Sequence, residues 1–193
     1  MGLDMFLERI HQSAMQYLEY DPDEAKTKNL KIYEQMKPYI LRSGDLPGIQ
    51  RESLFEEVGY WRKANQIHNW FVTHVQNGED DCGRYPVSEE QLKDLRALCS
   101  AVVTESGVKC EIIQNGYIIN DIDAFTPIIR PGNVITNPEV AERLLPTTDG
   151  FFFGSTDYDE YYLQDIQETI GMLDTVLEET DFSVYSIYYT SSW

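Results

Sequence analysis

The sequence predicts an α+β fold: about three main helices packed on a small, mostly antiparallel sheet, with an inserted β-hairpin. Three observations carry this expectation. Leu3, Met5 and Leu7 alternate with polar residues near the start, the period of a half-buried strand. Apolar residues recur at spacings of three and four over 53–76, 88–106 and 157–179, the period of amphipathic helices. Residues 182–190 are rich in tyrosine and β-branched side chains, as strands are.

Each element follows in order. Residues 3–10 form the first strand. A helix is expected over 26–41, with Pro38 bending or ending it, and a loop over 43–48, where Gly44, Pro47 and Gly48 cluster. Residues 53–76 read as the strongest helix, with Leu54, Val58, Trp61, Ala64, His68, Phe71 and Val75 as one stripe and Asn77-Gly78 as its stop. Ser88 caps the next helix and Gln91 completes a capping box, ahead of a stripe of Leu92, Leu95, Cys99 and Val102. Residues 111–114 and 117–120 flank Asn115-Gly116, a favoured two-residue turn, so a hairpin is expected over 108–122. Pro127, Pro131, Gly132 and Asn133 mark an extended loop. A short helix follows from Pro138 to Leu145, with proline in its first turn. Phe151, Phe152 and Phe153 read as a buried strand between glycines. A last helix over 157–179 buries Leu163, Ile166, Ile170, Leu173 and Leu177. The sheet is expected to combine the first strand, 151–153 and the final strand.

At 193 residues the chain is long enough to bury a full core, so a single domain over 1–193 is the simplest reading. Its formal charge is -18. That argues against direct nucleic-acid binding, which runs on clustered Lys and Arg, and against docking on anionic membranes. The excess is uneven: residues 151–193 hold nine acidic groups and no basic one. Cys82, Cys99 and Cys110 fall at no metal-ligand spacing. Without a secretory start or a long apolar run, a reduced cytoplasm is the expected compartment.

Four constellations invite a chemical reading. His68 lies on an apolar stripe, where a core histidine with satisfied hydrogen bonds is the better expectation than a catalyst or ligand. Arg62, Asn65, Gln66 and Asn69, beside Trp61 and Trp70, make a patch able to hold a planar ligand by stacking and hydrogen bonds. After 151–153, Thr156 or Asp157 is expected to cap the last helix. Alternatively Asp157 and Asp159 gather Mg or Ca together with Asp80 or Asp81, if the two loops meet. Otherwise no cofactor is expected. Finally, Asp165, Glu168, Asp174, Glu178 and Glu179 lie away from the buried stripe of the last helix, with no Lys to offset their repulsion. Such a face can imitate a phosphate backbone, and Trp193 can add an apolar anchor.

Several runs together resemble an uncharacterised family of proteins from phages and prophages of Gram-positive bacteria. They are Met1-Gly2-Leu3-Asp4-Met5-Phe6-Leu7, Tyr60-Trp61-Arg62-Lys63-Ala64-Asn65-Gln66-Ile67-His68-Asn69-Trp70-Phe71, Gly150-Phe151-Phe152-Phe153-Gly154-Ser155-Thr156-Asp157-Tyr158-Asp159-Glu160 and Ser191-Ser192-Trp193. The resemblance implies an accessory protein of the host bacterial cytoplasm. It brings no activity. It marks 107–137 as an insertion that shorter relatives lack.

The leading expectation is therefore a non-enzymatic phage accessory protein. It would inhibit a host target with a basic surface by occluding a groove, most simply in a nucleic-acid-directed defence such as CRISPR or restriction. A second class is a small-molecule site: a nucleotide sponge or a metal-dependent nucleotide enzyme. A third is a virion or assembly component. A homodimer is compatible with each, the inserted hairpin serving as a possible arm.

Overall fold

The computed structural model describes residues 2–43, 51–121 and 124–193. Strand β1 (Asp4–His11) follows the expected alternation, with Leu3, Met5 and Leu7 fully buried on one side. After a 3-10 turn (Gln12–Tyr17) come two short helices, α1 (Pro22–Lys28) and α2 (Leu30–Met36), where one helix over 26–41 was expected. Asn29 divides them. Its φ of -148° leaves the helical region, and its side chain accepts the Ile32 amide at 3.4 Å, so it starts a second helix. Pro38 sits in a 3-10 turn (Lys37–Tyr39) that closes this run. Strands β2 (Leu41–Ser43) and β3 (Arg51–Ser53) pair antiparallel; the loop expected over 43–48 lies, from residue 44 onward, outside the described residues.

The largest correction concerns 53–76. Its first half is strand β4 (Phe55–Arg62), paired antiparallel with β1; only the second half is helix, α3 (Asn65–His74). Leu54, Val58 and Trp61 happen to fit helical spacing, but 55–61 also holds Phe, Val, Tyr and Trp, which favour strand, and Gly59, which disfavours helix. A bulge at Val58 opposite Leu7/Glu8 then turns Gly59 and Trp61 inward. Asn77 and Gly78, with φ of 55° and 84°, end the helical segment as expected.

Strand β5 (Arg84–Val87) leads into α4 (Glu89–Ser106). The capping box is present: the Gln91 amide donates to Ser88 Oγ at 3.1 Å and the Ser88 amide to Gln91 Oε1 at 2.9 Å. Leu92, Leu95, Cys99 and Val102 are all buried. A hairpin does follow, but with different boundaries. Strand β6 (Val108–Asp121) runs straight through Asn115-Gly116 and pairs with β7 (Ala124–Ile135). Asn115-Gly116 is a bulge, not the turn. The stretch expected as a loop, with Pro127 and Pro131, is strand β7; a two-stranded ribbon has an open edge, where proline is tolerated.

Helix α5 (Pro138–Leu144) begins on its proline. Residues 151–153 are a turn rather than a strand. Phe153 N donates back to Gly150 O at 3.2 Å, Phe152 takes φ 71°, and Phe151 is 81% exposed. Only Phe153 is buried, edge-on to His68 and Trp193. Helix α6 (Glu160–Glu179) starts three residues later than expected, with Asp159 as its cap, and β8 (Tyr185–Ser192) closes the chain's run of elements.

The central sheet has the order β4-β1-β8-β5, each pair antiparallel. Helices α3, α4 and α6 share its main apolar cluster, where Phe71 stacks on Tyr189 with ring centroids 3.9 Å apart. Gly59 permits this approach: a Cβ there would stand 2.5 Å from Met172 Sδ on α6. Ile10, three residues after Leu7 and so on the other side of β1, joins a second cluster with Ala25, Tyr33, Met36 and Leu54. Among the described residues no helix is long and apolar enough to cross a membrane.

Candidate functional site

Strand β4 ends at Arg62, and the chain must turn at once into α3. Lys63 makes the turn with φ 63°, a left-handed conformation that a long side chain rarely adopts. Its amide donates to Leu3 O at 2.8 Å, and its carbonyl accepts from Asn65 N at 2.8 Å. The turn leaves Arg62 and Lys63 exposed and sends Asn65 and Gln66 inward, where both are buried.

Asn65 organises the opposite wall. Its Nδ2 donates to Phe153 O at 3.3 Å and Ser155 O at 2.8 Å, and its Oδ1 accepts from Thr148 N at 3.0 Å. One side chain thus pins both ends of the 148–155 loop. Gly154, at φ 98°, passes so close that a Cβ would meet Lys63 Cβ at 3.2 Å and Lys63 O at 3.3 Å. Two residues in the left-handed region therefore face each other across the entrance.

The third wall is the first turn of α6. Asp159 Oδ1 accepts from Tyr161 N at 2.9 Å and Tyr162 N at 3.1 Å. Tyr162 is buried and donates its hydroxyl to Leu145 O at 2.8 Å. One turn on, Asp165 Oδ2 accepts from Gln66 Nε2 at 3.1 Å. The three walls enclose a cleft of about 410 Å³. Arg62, Lys63, Ser155 and Asp157 line it with Tyr161, Gln66 and Asp165. That volume lies in the range of small-molecule sites.

The electrostatics of the cleft are divided. Burial pushes the Asp165 carboxyl up from its ordinary 3.8 to about 6; the Gln66 bond opposes this, and Glu168 and Asp159 add to it. Among the described residues, neither Arg62 nor Lys63 has a carboxylate within ion-pair distance. Arg62 lies beside the Tyr60 hydroxyl, which is itself bonded to Asp4, and with Lys63 it places two cations at the cleft.

The planar slot expected between Trp61 and Trp70 does not form. Trp61 belongs to strand β4, is buried, and donates Nε1 to Thr169 Oγ1 at 2.8 Å, bracing β4 on α6. Trp70 is buried against Phe71 and stacks on His74 with centroids 5.0 Å apart. Asn69 donates to Pro146 O at 3.2 Å. Of the six residues of the expected patch, Arg62 and Gln66 line the cleft, and Asn65 supports it from behind.

The expected cation site is not assembled either. Asp80 accepts from Trp193 Nε1 at 3.1 Å and lies 3.0 Å from His68 Nε2, whose other ring nitrogen is 2.7 Å from the Tyr189 hydroxyl. His68 is thus the satisfied core histidine that its place on the apolar stripe suggests. Asp81 accepts from Gly83 N and the Tyr85 hydroxyl. Asp159 caps α6, and Asp157 stands at the cleft. Among the described residues no group of three or more His, Cys, Asp or Glu could hold a metal.

The acidic face of α6 is thinner than the sequence suggests. Asp174 is paired with Arg96 on α4 at 2.6 Å, and Asp165 turns into the cleft. Glu168 accepts from Gln164 at 2.7 Å, while Glu178 and Glu179 are exposed. Trp193 is half-exposed, with its indole tied to Asp80. The inward turn of Asp165 has a sequence signal: Tyr162 three residues before it and Thr169 four after it are both buried. Comparison with protein-family models, with curated proteins and with solved structures finds no significant match to this chain.

Proposed function

We propose that the cleft binds a small anionic molecule of the nucleotide class and holds it without turnover, as a sponge. One observation carries the reading: two cations without carboxylate partners, Arg62 and Lys63, stand at the same cleft as the Gln66–Asp165 amide–carboxyl pair. Guanidinium and ammonium groups suit a phosphate. An amide beside a carboxyl offers the donors and acceptors that a base edge with an exocyclic amine requires. Tyr161, 56% exposed at the rim, supplies an aromatic face for the base. Asp157 favours ligands that also carry an amino group over simple phosphate. With the resemblance to phage proteins, this reading makes the ligand a signalling nucleotide of a host defence.

Isothermal titration of the protein with a panel of mono-, di- and cyclic nucleotides tests it. At least one should bind in the micromolar range or tighter. Arg62→Ala/Lys63→Ala should weaken it at least tenfold, with the fold unchanged by circular dichroism. A panel without any binder, or binding indifferent to both changes, overturns the proposal.

A second reading keeps the occlusion of a basic groove on a host defence protein. The exposed Glu168, Glu178 and Glu179, none of them in an ion pair among the described residues, favour it. Complex formation that weakens steeply with salt and with charge neutralisation at these three positions would separate it from the first.

A further inference from the structure

The hairpin of β6 and β7 carries an apolar face that the other described residues leave exposed. Ile112 is 70% exposed, Tyr117 57%, Ile119 71%, Phe125 58% and Ile129 61%. Their common orientation follows from the register. Ile112 pairs with Pro131, Gln114 with Ile129, Tyr117 with Pro127 and Ile119 with Phe125. In an unbroken strand Ile112 and Tyr117, five residues apart, would point to opposite sides. The extra residue at Asn115-Gly116 shifts the phase, so Tyr117 and Ile119 return to the side of Ile112. The bulge thus joins two short apolar patches into one.

The opposite face of the hairpin is anchored around Arg130 and Gly132, while Ile118 further along it is exposed. Arg130 pairs with Glu160 on α6 at 2.6 Å, and a Cβ on Gly132 would collide with Ile113 and the Glu160 carboxylate. Lys109, Glu111 and Arg130 all lie on that anchored side. The exposed face of the hairpin ladder therefore has no charged side chain from Val108 to Ile119 or from Phe125 to Ile135. Pro127 and Pro131 remove two N–H donors from β7, which blunts strand addition along that edge.

We propose that this face is a two-fold interface between two copies of the chain. A partner chosen by charge would find nothing to pair with on it. A second copy brings an identical uncharged surface, so the two chains, each at -18, meet where like charges are absent. At these exposures the five side chains present about 500 Å², and a face-to-face pair buries about 1,000 Å², the threshold for a specific interface. A two-fold contact of this kind closes at two copies.

Sedimentation velocity over a dilution series of the full chain tests the proposal. The expected species at micromolar concentration has twice the 22.4 kDa chain mass. Dimerisation should tighten severalfold between roughly 0.02 and 0.3 M salt, because screening relieves repulsion between the acidic bodies. Ile119→Asp and Ile129→Asp should each give a monomer with an unchanged circular dichroism spectrum. A wild-type monomer throughout the series overturns the proposal, as does open-ended association. So does weakening by salt, or a folded Ile119→Asp variant that still dimerises.

Discussion

The Gln66 amide and the Asp165 carboxyl meet at 3.1 Å, joining the first turn of α3 to the second turn of α6. The contact fastens two helices far apart in sequence. It also holds a carboxyl where burial opposes its charge.

Stability should therefore depend on pH through Asp165, with a definite sign. The folded chain binds this proton up to about pH 6, the unfolded chain only to about its ordinary 3.8. Between those values the folded state holds the extra proton, so this contribution is complete below pH 3.8. It is lost as pH rises through 6, and amounts to about 2–3 kcal/mol. Asp165→Asn should remove the downward slope across pH 4–7 and raise the urea midpoint at pH 8. Identical slopes in both proteins would show that the carboxyl is not perturbed.

Asn65→Ala should be costly because three hydrogen bonds end on one side chain. The loss exposes no new surface in return and leaves buried carbonyl and amide groups without partners. A destabilisation of about 2–4 kcal/mol is expected. Limited proteolysis should become faster within 148–155 than elsewhere. Wild-type melting and cleavage would mean that the loop is held by other contacts.

Gly59→Ala tests the approach of β4 to α6. A methyl group at that position meets Met172 Sδ at 2.5 Å and Leu7 Cβ at 3.2 Å. Overpacking of about 1–3 kcal/mol is expected. Combined with Met172→Ala, the two effects should miss additivity by more than about 0.5 kcal/mol, with the double variant more stable than the sum predicts. Strict additivity would refute the contact.

Much of the fold is legible in the sequence where local signals agree. The alternation of Leu3, Met5 and Leu7, the Ser88–Gln91 box and the stripe through Leu163, Ile166 and Leu173 each state one structure. Legibility fails where one pattern serves two structures. Leu54, Val58 and Trp61 fit a helix, yet Phe55–Arg62 pairs with β1 as a strand. Asn115-Gly116 suits a turn, yet long flanking partners absorb it as a bulge. Three phenylalanines suit a strand, yet 151–153 close as a turn, with Phe152 at φ 71° and Phe153 N bonded back to Gly150 O. The cleft was half legible. Arg62 and Asn65 stand out by residue type, but the turn at Lys63 that separates their roles is a backbone conformation no spacing encodes.

The position of β8 has a kinetic consequence. It lies between β1 and β5, and Asp4 pairs with Ser192. Among the described residues strand β5 has no other neighbour in the sheet, so β5 stays apart from β1 and β4 until β8 arrives. Closing the long loop between Asp4 and Ser192 must precede the reward of that pairing, which places this topology among slow folders. On the ribosome, β1 and β4 can pair early, but the other edge of β1 waits open until β8 has been made. Substitutions in β8 such as Ile187→Ala should therefore retard folding as well as weaken the folded state.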